Sequence, residues 1–349
     1  MSELTDFIDA YHKLSYSDRV VFYSTVSNDV RIDRDNVQSF LIETRMTDKH
    51  TCLHCGGEHV VKNGMRKDGT QRFLCRDCKR SFIPSSHSVT SRTRKHLSVW
   101  RDYLKCMLVK KTLSESADEC HISLGTAFTW RHKILNALTR LTDKVYLDGT
   151  VEADETFFNL SYKGNHTKSH DFTMPRASHK RGNDVHTKGL SSDKVCVPCA
   201  VSDSGLAYAK PVKLGKISSD CVLKTFQNII SNDATLCTDN ERAYFELAKK
   251  SDIKLIQTDT DNRLREKDGD IYGVQRINAY HARLKKFIRR FNGVSTKYLG
   301  NYIVWNDIIS CNHRDRKELL IQLLGQLFCL NVDVNAQDIF RKSALPCMT

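Results

Sequence analysis

The 349-residue chain carries 54 Lys and Arg against 41 Asp and Glu, a formal charge of +13, and 40% of its residues are hydrophobic. That is chain enough for two or three compact units with sizeable cores, yet no apolar run reaches the roughly 20 residues of a membrane helix. The N-terminal Met1-Ser-Glu-Leu-Thr-Asp is acidic and lacks a signal-peptide pattern. The thirteen cysteines are therefore expected in a reducing, cytoplasmic setting, where Cys-x-x-Cys pairs read as metal sites and not as disulfides.

In chain order, residues 1–46 place Phe7, Ile8, Tyr11 and Leu14 at helical spacing, a helical leader with no evident chemistry. Residues 50–84 hold Cys52-x2-Cys55 and Cys75-x2-Cys78, separated by 19 residues. This spacing predicts a zinc ribbon, in which each pair directs two thiolates at one ion and four complete a closed tetrahedral shell. Gly56 and Gly57 suit the knuckle, and Asp68-Gly69 suits a hairpin turn. A redox dithiol pair would be the rival, but no βαβ pattern surrounds either motif.

Residues 90–142 read as a helical unit with Leu97, Trp100, Tyr103, Leu104 and Met107 on one face. Within it, 113–135 has the pattern of a helix-turn-helix: Ala117 for close contact, Ile122 anchoring the turn, Ser123 as N-cap. Leu124, Ala127, Phe128, Ile134 and Leu135 are then expected in the core. Thr126, Thr129, His132 and Lys133 are left to meet a major groove. The pattern alone fits an ordinary helical hairpin equally well. Between 51 and 135, however, 16 Lys and Arg face 7 Asp and Glu, and concentrated positive charge favours a polyanion partner.

From about 145 the pattern becomes mixed. Strands are predicted at 145–158, 194–201, 206–212, 235–237 and 253–256, with helices at 219–230, near 241–249 and from about 274, which indicates an α/β domain with a mixed sheet. The polar stretch 162–192, with Lys180, Arg181 and four irregularly spaced histidines, reads as a long basic loop touching nucleic acid. Cys196-x2-Cys199 lies in a β-branched run, where residues three apart point to opposite faces, so these two thiols are expected to be buried and not chelating.

Asp154 and Asp239 each lie in or just after a short apolar run, where a strand end presents a carboxylate. Ile277, Tyr280, Leu284, Ile288 and Phe291 form an apolar helical stripe, and Asn278 and Lys285 lie within about 20° of each other on a different face, joined by Arg289. Two strand carboxylates and one helix-borne oxygen ligand are able to hold a pair of divalent cations for in-line displacement at phosphorus. A solvated polar helix face is the simpler alternative for Asn278 and Lys285.

The motifs together resemble a bacterial insertion-sequence transposase of the Asp-Asp-Glu/Asn class, the branch with an N-terminal zinc ribbon and a ribonuclease H-like catalytic domain. The resemblance spans about 50–310. It rests on the four-cysteine ribbon, Thr126-Ala-Phe-Thr-Trp-Arg-His-Lys133, Val151-Glu-Ala-Asp-Glu-Thr-Phe-Phe158, Lys163-Gly-Asn-His166 and Lys180-Arg-Gly182. Thr238-Asp-Asn240, Ile277-Asn-Ala-Tyr-His-Ala-Arg-Leu-Lys285 and Arg290-Phe-Asn-Gly-Val-Ser-Thr-Lys-Tyr-Leu299 complete it. It implies a multidomain α/β chain: leader 1–46, ribbon 50–84, helix-turn-helix-like unit 90–142, ribonuclease H-like mixed sheet with flanking helices 145–310, and a tail 311–349. It implies Asp154, Asp239 and Asn278 as ligands of Mg²⁺ or Mn²⁺, Lys285 as the phosphate contact, and Cys52, Cys55, Cys75 and Cys78 around structural Zn²⁺. Asn in place of Glu departs from the commonest triad, and Glu266, Asp268 and Asp270 in the preceding loop are alternative ligands. The implied partners are double-stranded DNA, as terminal inverted repeats and target, and further copies of the chain assembled on that DNA. The implied location is the cytoplasm, at the nucleoid. A non-catalytic DNA-binding regulator and a nuclease without strand transfer remain as alternatives.

Overall fold

The structure is a computed structural model that describes residues 51–142, 145–164, 194–239, 242–258, 264–267 and 270–311, with scattered positions between 320 and 339. The chain divides into two compact units, residues 1–137 with 312–336 and residues 138–311 with 337–349. The expected leader, most of the basic loop including Lys180 and Arg181, and most of the tail lie outside the described residues. No helix among the described residues is long and apolar enough to cross a membrane.

In the first unit, strands β1 (Val60–Met65), β2 (Gln71–Cys75) and β3 (Ser81–Phe82) form an antiparallel sheet in that order. The β1–β2 hairpin turns at Gly69, whose φ of 77° is in the left-handed region, and Asp68 Oδ1 accepts the Thr70 N–H at 3.0 Å. Three helices follow: α1 (Leu97–Leu108), α2 (Leu113–Glu119) and α3 (Leu124–Thr142). Thr112 and Glu115 close a capping box on α2, and Ser123 Oγ accepts the Thr126 N–H at 3.2 Å to cap α3. The helices pack through Trp100 and Trp130, stacked with centroids 3.8 Å apart, and Tyr103 edge-on to Trp130. Ribbon and helices fall in one compact unit.

The second unit is built on strands β4 (Thr150–Asn159), β5 (Lys194–Ser202), β6 (Ala207–Ala209), β7 (Lys213–Leu214), β8 (Thr235–Thr238) and β9 (Lys254–Gln257). Their order is β6-β5-β4-β8-β9, with β7 on β5. β4 runs antiparallel to β5 over nine residue pairs and parallel to β8, so the sheet is mixed. The expected strand over 206–212 is split into β6 and β7 around Pro211, which has no N–H to give a ladder. Helices α4 (Ser219–Phe226) and α5 (Phe245–Lys250) cover one face, burying Val222, Phe226 and Leu247 against Val151, Ala153 and Leu236. A hairpin, β10 (Leu264–Lys267) and β11 (Asp270–Gly273), leads into α6 (Gln275–Arg289), and α7 (Thr296–Cys311) follows. α6 lies on the other face, the one towards which Glu152 and Asp154 of β4 turn. This is the mixed α/β fold with flanking helices and a four-cysteine ribbon.

Candidate active site and metal centre

The ribbon ligand atoms converge. The sulfurs of Cys52, Cys55, Cys75 and Cys78 all lie within 4.8 Å of one another, with Cys52–Cys78 at 3.6 Å and Cys55–Cys75 at 3.8 Å. A tetrahedron with Zn–S bonds of about 2.3 Å has edges near 3.8 Å, so the donor set fits zinc in size and softness. The N–H groups of His54 and Gly57 point at Cys52 Sγ and Cys55 Sγ, both at 3.4 Å, as expected around thiolates. Gly56 takes φ 75° in the knuckle, a conformation that favours glycine, and a Cβ at Gly57 would lie 2.2 Å from the Asp77 carboxylate, which would have to shift. Cys196 and Cys199 are fully buried in β5 and join no ligand cluster among the described residues.

On α3 the buried arc is Ala127, Trp130, Arg131, Ile134, Leu135 and Leu138. Two expectations are corrected here. His132, expected at the DNA face, is 1% exposed, its ring against Phe128 at 4.6 Å. Leu124, expected in the core, is 57% exposed. The cause is the phase of the helix, which Trp130 sets by stacking on Trp100. That brings Arg131 inside, where its Nη2 donates to Lys111 O at 2.8 Å and Ser116 Oγ at 3.1 Å. A periodicity reading puts arginine outside, since only tertiary partners make its burial tolerable. Thr126, Thr129 and Lys133 are half-buried. Thr126 Oγ1 lies 2.9 Å from Ser123 Oγ, and Thr129 Oγ1 donates to Gly125 O at 2.9 Å.

In the second unit, Asp154 lies within β4 and Asp239 directly follows β8. The parallel register pairs Ala153 with Thr238, so the two aspartates come next, at the same level on neighbouring strands. Asp154 is 27% exposed, and burial together with the Asp239 carboxylate pushes its pKa up to about 6. The Glu155 N–H, 2.7 Å from Asp154 Oδ1, and the Lys285 ammonium act in the opposite direction. Asp239 and Lys285 thus act electrostatically on Asp154 from two other elements. Asn278, Lys285 and Arg289 are exposed on α6, while Ile277, Tyr280, Leu284 and Ile288 are buried as the stripe predicts. Among the described residues no third acidic, histidine or cysteine ligand converges with the two aspartates. Two carboxylates that repel one another are oxygen donors suited to a hard divalent cation. Glu266 and Asp270, expected in a loop, belong to the strands β10 and β11.

Sequence reasoning missed two residues here. His281 is 7% exposed, with Nδ1 3.7 Å from Asp154 Oδ2. Burial, with Lys285 nearby, pushes its pKa down to about 4, so it is neutral at physiological pH. Glu152 is 4% exposed, and burial raises its pKa despite the Ile277 N–H and Arg276. A buried carboxylate two residues before Asp154 on the same strand face was the available signal.

The mixed sheet sets Asp154 inside β4 and Asp239 just past β8, on neighbouring parallel strands. Residues 146–304 match the family model of the ISXO2-like transposase domain. The chain is 22% identical over 207 residues to an uncharacterized protein in transposable element ISH50 of Halobacterium salinarum, covering 59% of this chain and 67% of that one. A solved pre-cleavage Mos1 transpososome aligns at 11% identity over 64% of this chain and 78% of that one, with a TM-score of 0.22.

Proposed function

We propose that the chain is a transposase that binds the terminal inverted repeats of its own element, cleaves DNA at those ends and joins the freed 3′-hydroxyl to target DNA. Asp154, Asp239 and Asn278 hold Mg²⁺ or Mn²⁺, and Lys285 steadies the phosphate under attack. When bound, the ions would activate the attacking oxygen and stabilise the leaving one. Two strands set the carboxylates at one level, α6 carries Lys285 close enough to act on Asp154, and Asn278 of the same helix supplies the third oxygen in this reading. Zinc bound by Cys52, Cys55, Cys75 and Cys78 holds the ribbon. The ribbon, the outer face of α3 with Thr126, Thr129 and Lys133, the basic loop with Lys180 and Arg181, and Arg289 contact DNA. Assembly on DNA brings further copies of the chain together.

The observation that carries this reading is the shared level of Asp154 and Asp239 on neighbouring parallel strands, with Lys285 acting on the same carboxylate. The test is cleavage and joining of linear DNA bearing an element end, measured against Mg²⁺ concentration. Asp154→Ala and Asp239→Ala are expected to lose at least about 10³-fold in rate while binding ends normally. Asn278→Ala is expected to lose most activity and regain part of it at high metal. Cleavage without joined products would reduce the reading to a nuclease, and wild-type rates in either aspartate variant would refute the site.

A further inference from the structure

Helix α6 has no capping side chain of its own: its N-cap is Val274, at φ −121°. Instead, the Ile277 N–H in its first turn donates to Glu152 Oε2 at 3.0 Å, and Arg276 Nε lies 3.7 Å from Glu152 Oε1. A buried carboxylate there satisfies an orphan donor and sits at the positive end of the helix dipole.

The other end is held from the chain just past the same strand, which ends at Asn159. Past Arg289 the chain tightens through N–H bonds of Arg290, Phe291 and Asn292 to the carbonyls three residues back. The carbonyls of Phe291, Asn292 and Gly293 then gather around Lys163 Nζ at 3.4, 3.0 and 3.0 Å. An ammonium has three donors, and three acceptors meet it. Ser161 adds a two-way bond to the start of α7: its carbonyl accepts the Thr296 N–H and its N–H donates to Thr296 Oγ1, both at 2.8 Å. One stretch of chain, Glu152 through Lys163, thus offers an anion to the positive end of α6 and a cation to the carbonyls of the turn that directly follows it. Asp154 lies between them.

We propose that Glu152 on β4 and Lys163 just past it are positioning residues that hold α6 between its first turn and the turn that follows it, and so fix how far Asn278 and Lys285 stand from Asp154. The inference rests on the proposed reading of those three residues. The apolar face of α6 holds the helix against the sheet, but apolar attraction is non-directional and resists sliding along the axis weakly. A slip of one turn would carry Asn278 about 5.4 Å away. Misplacement by only about 1 Å is enough to cost about 10²-fold in rate. The charged ends supply the axial register that the apolar face lacks.

The test uses the zinc-loaded full chain and the variants Glu152→Ala, Glu152→Gln, Lys163→Met and Lys163→Arg. Amide hydrogen exchange across 274–296, thermal stability, end-DNA affinity and cleavage rate are read together. Glu152→Ala is expected to speed exchange in the first turn of α6 by about tenfold or more and to lower the saturated cleavage rate by about 10²-fold. DNA affinity should stay within about twofold of wild type, because no DNA-reading surface is touched. Glu152→Gln keeps an oxygen acceptor and should recover to within about tenfold of wild type. Lys163→Met should loosen 290–296 and slow cleavage by about tenfold, with Lys163→Arg restoring most of it. Wild-type cleavage rates in both Glu152→Ala and Lys163→Met would overturn the proposal, as would unchanged exchange at both ends of α6. Should Glu152→Ala fail to fold, Glu152→Gln and Lys163→Met decide the question. If the wild-type chain cleaves no DNA, the proposed activity fails by itself, and the exchange measurements still establish or remove the clamp.

Discussion

The ribbon and the mixed sheet solve the same problem by opposite means. The ribbon buries only Cys52, Phe73, Cys75 and Phe82 as a cluster, and two of those four belong to the converging cysteine set. The sheet buries sixteen residues in one cluster, from Leu147 to Ile253, against α4 and α5. A core of four offsets little of the conformational entropy of some thirty residues, and on the proposed reading zinc at the four cysteines supplies the rest. The sheet has apolar surface to spare and accommodates buried charge: Glu152, Asp154 and Asp307 all have raised pKa values, burial being the first cause in each. One region offers four cysteines in place of a core. The other has a large core beside which acidic groups are buried.

The largest way to break that contrast is to remove the metal. Cys75→Ser, or chelation of the wild type, should unfold 50–84 outright, since apparent zinc binding in such units is worth roughly 10 kcal/mol or more. The sheet should keep its hydrogen-exchange protection. Loss of protection in β4 and β5 on chelation, or a purified wild-type chain without zinc, would end the distinction.

A second measurement tests whether the sheet unit really carries the cost of buried charge. Asp307 on α7 is 7% exposed, accepts from Tyr280 Oη at 2.8 Å and Asn306 Nδ2 at 3.1 Å, and has its pKa pushed by burial from 3.8 up to about 7. Because the folded value lies above the unfolded one, the folded state binds the extra proton between them. Its stabilising contribution is therefore complete below about pH 4 and is lost as pH rises through about 7. The ceiling is on the order of 4 kcal/mol. Asp307→Asn should be more stable than the wild type at pH 8 and show a flatter melting temperature between pH 5 and 8. Identical pH profiles for the two proteins would mean that the carboxylate is better solvated than its burial implies.

The smallest effects concern the helices, where neither metal nor sheet is touched. Thr129→Ala should relax sequence preference at one base pair by about 1–3 kcal/mol. Lys133→Ala should weaken binding across all sequences and flatten the salt dependence by about one unit of slope. Both variants should leave ribbon and sheet as protected as before. Equal affinity of the wild type for random and element-end duplex would remove α3 from recognition.

Local spacing was enough to read the ribbon, because Cys52, Cys55, Cys75 and Cys78 lie in two short turns whose chemistry is written in a few adjacent residues. The apolar stripe of α6 was equally legible, since helical period alone sends Ile277, Tyr280, Leu284 and Ile288 inward. Asp154 and Asp239 were visible as carboxylates in or just after apolar runs, although Asp154 falls inside β4 and not at its end. Their alignment was not visible. That depends on the parallel register of β4 with β8, set by hydrogen bonds between segments some 80 residues apart. The placement of Arg131 and His132 depended on Trp130 finding Trp100 across two helices, and Arg131 is held inside by Lys111 O and Ser116 Oγ. Glu152 and Lys163 read as ordinary charged residues until β4 is laid along α6 and both helix ends come within reach. The sequence by itself determined which residue types are present, which turns they make and which faces are apolar, because those follow from dihedral preference and local period. Tertiary structure alone decided phase, register and the partners of buried charge, because each is a property of two segments meeting and neither segment contains it.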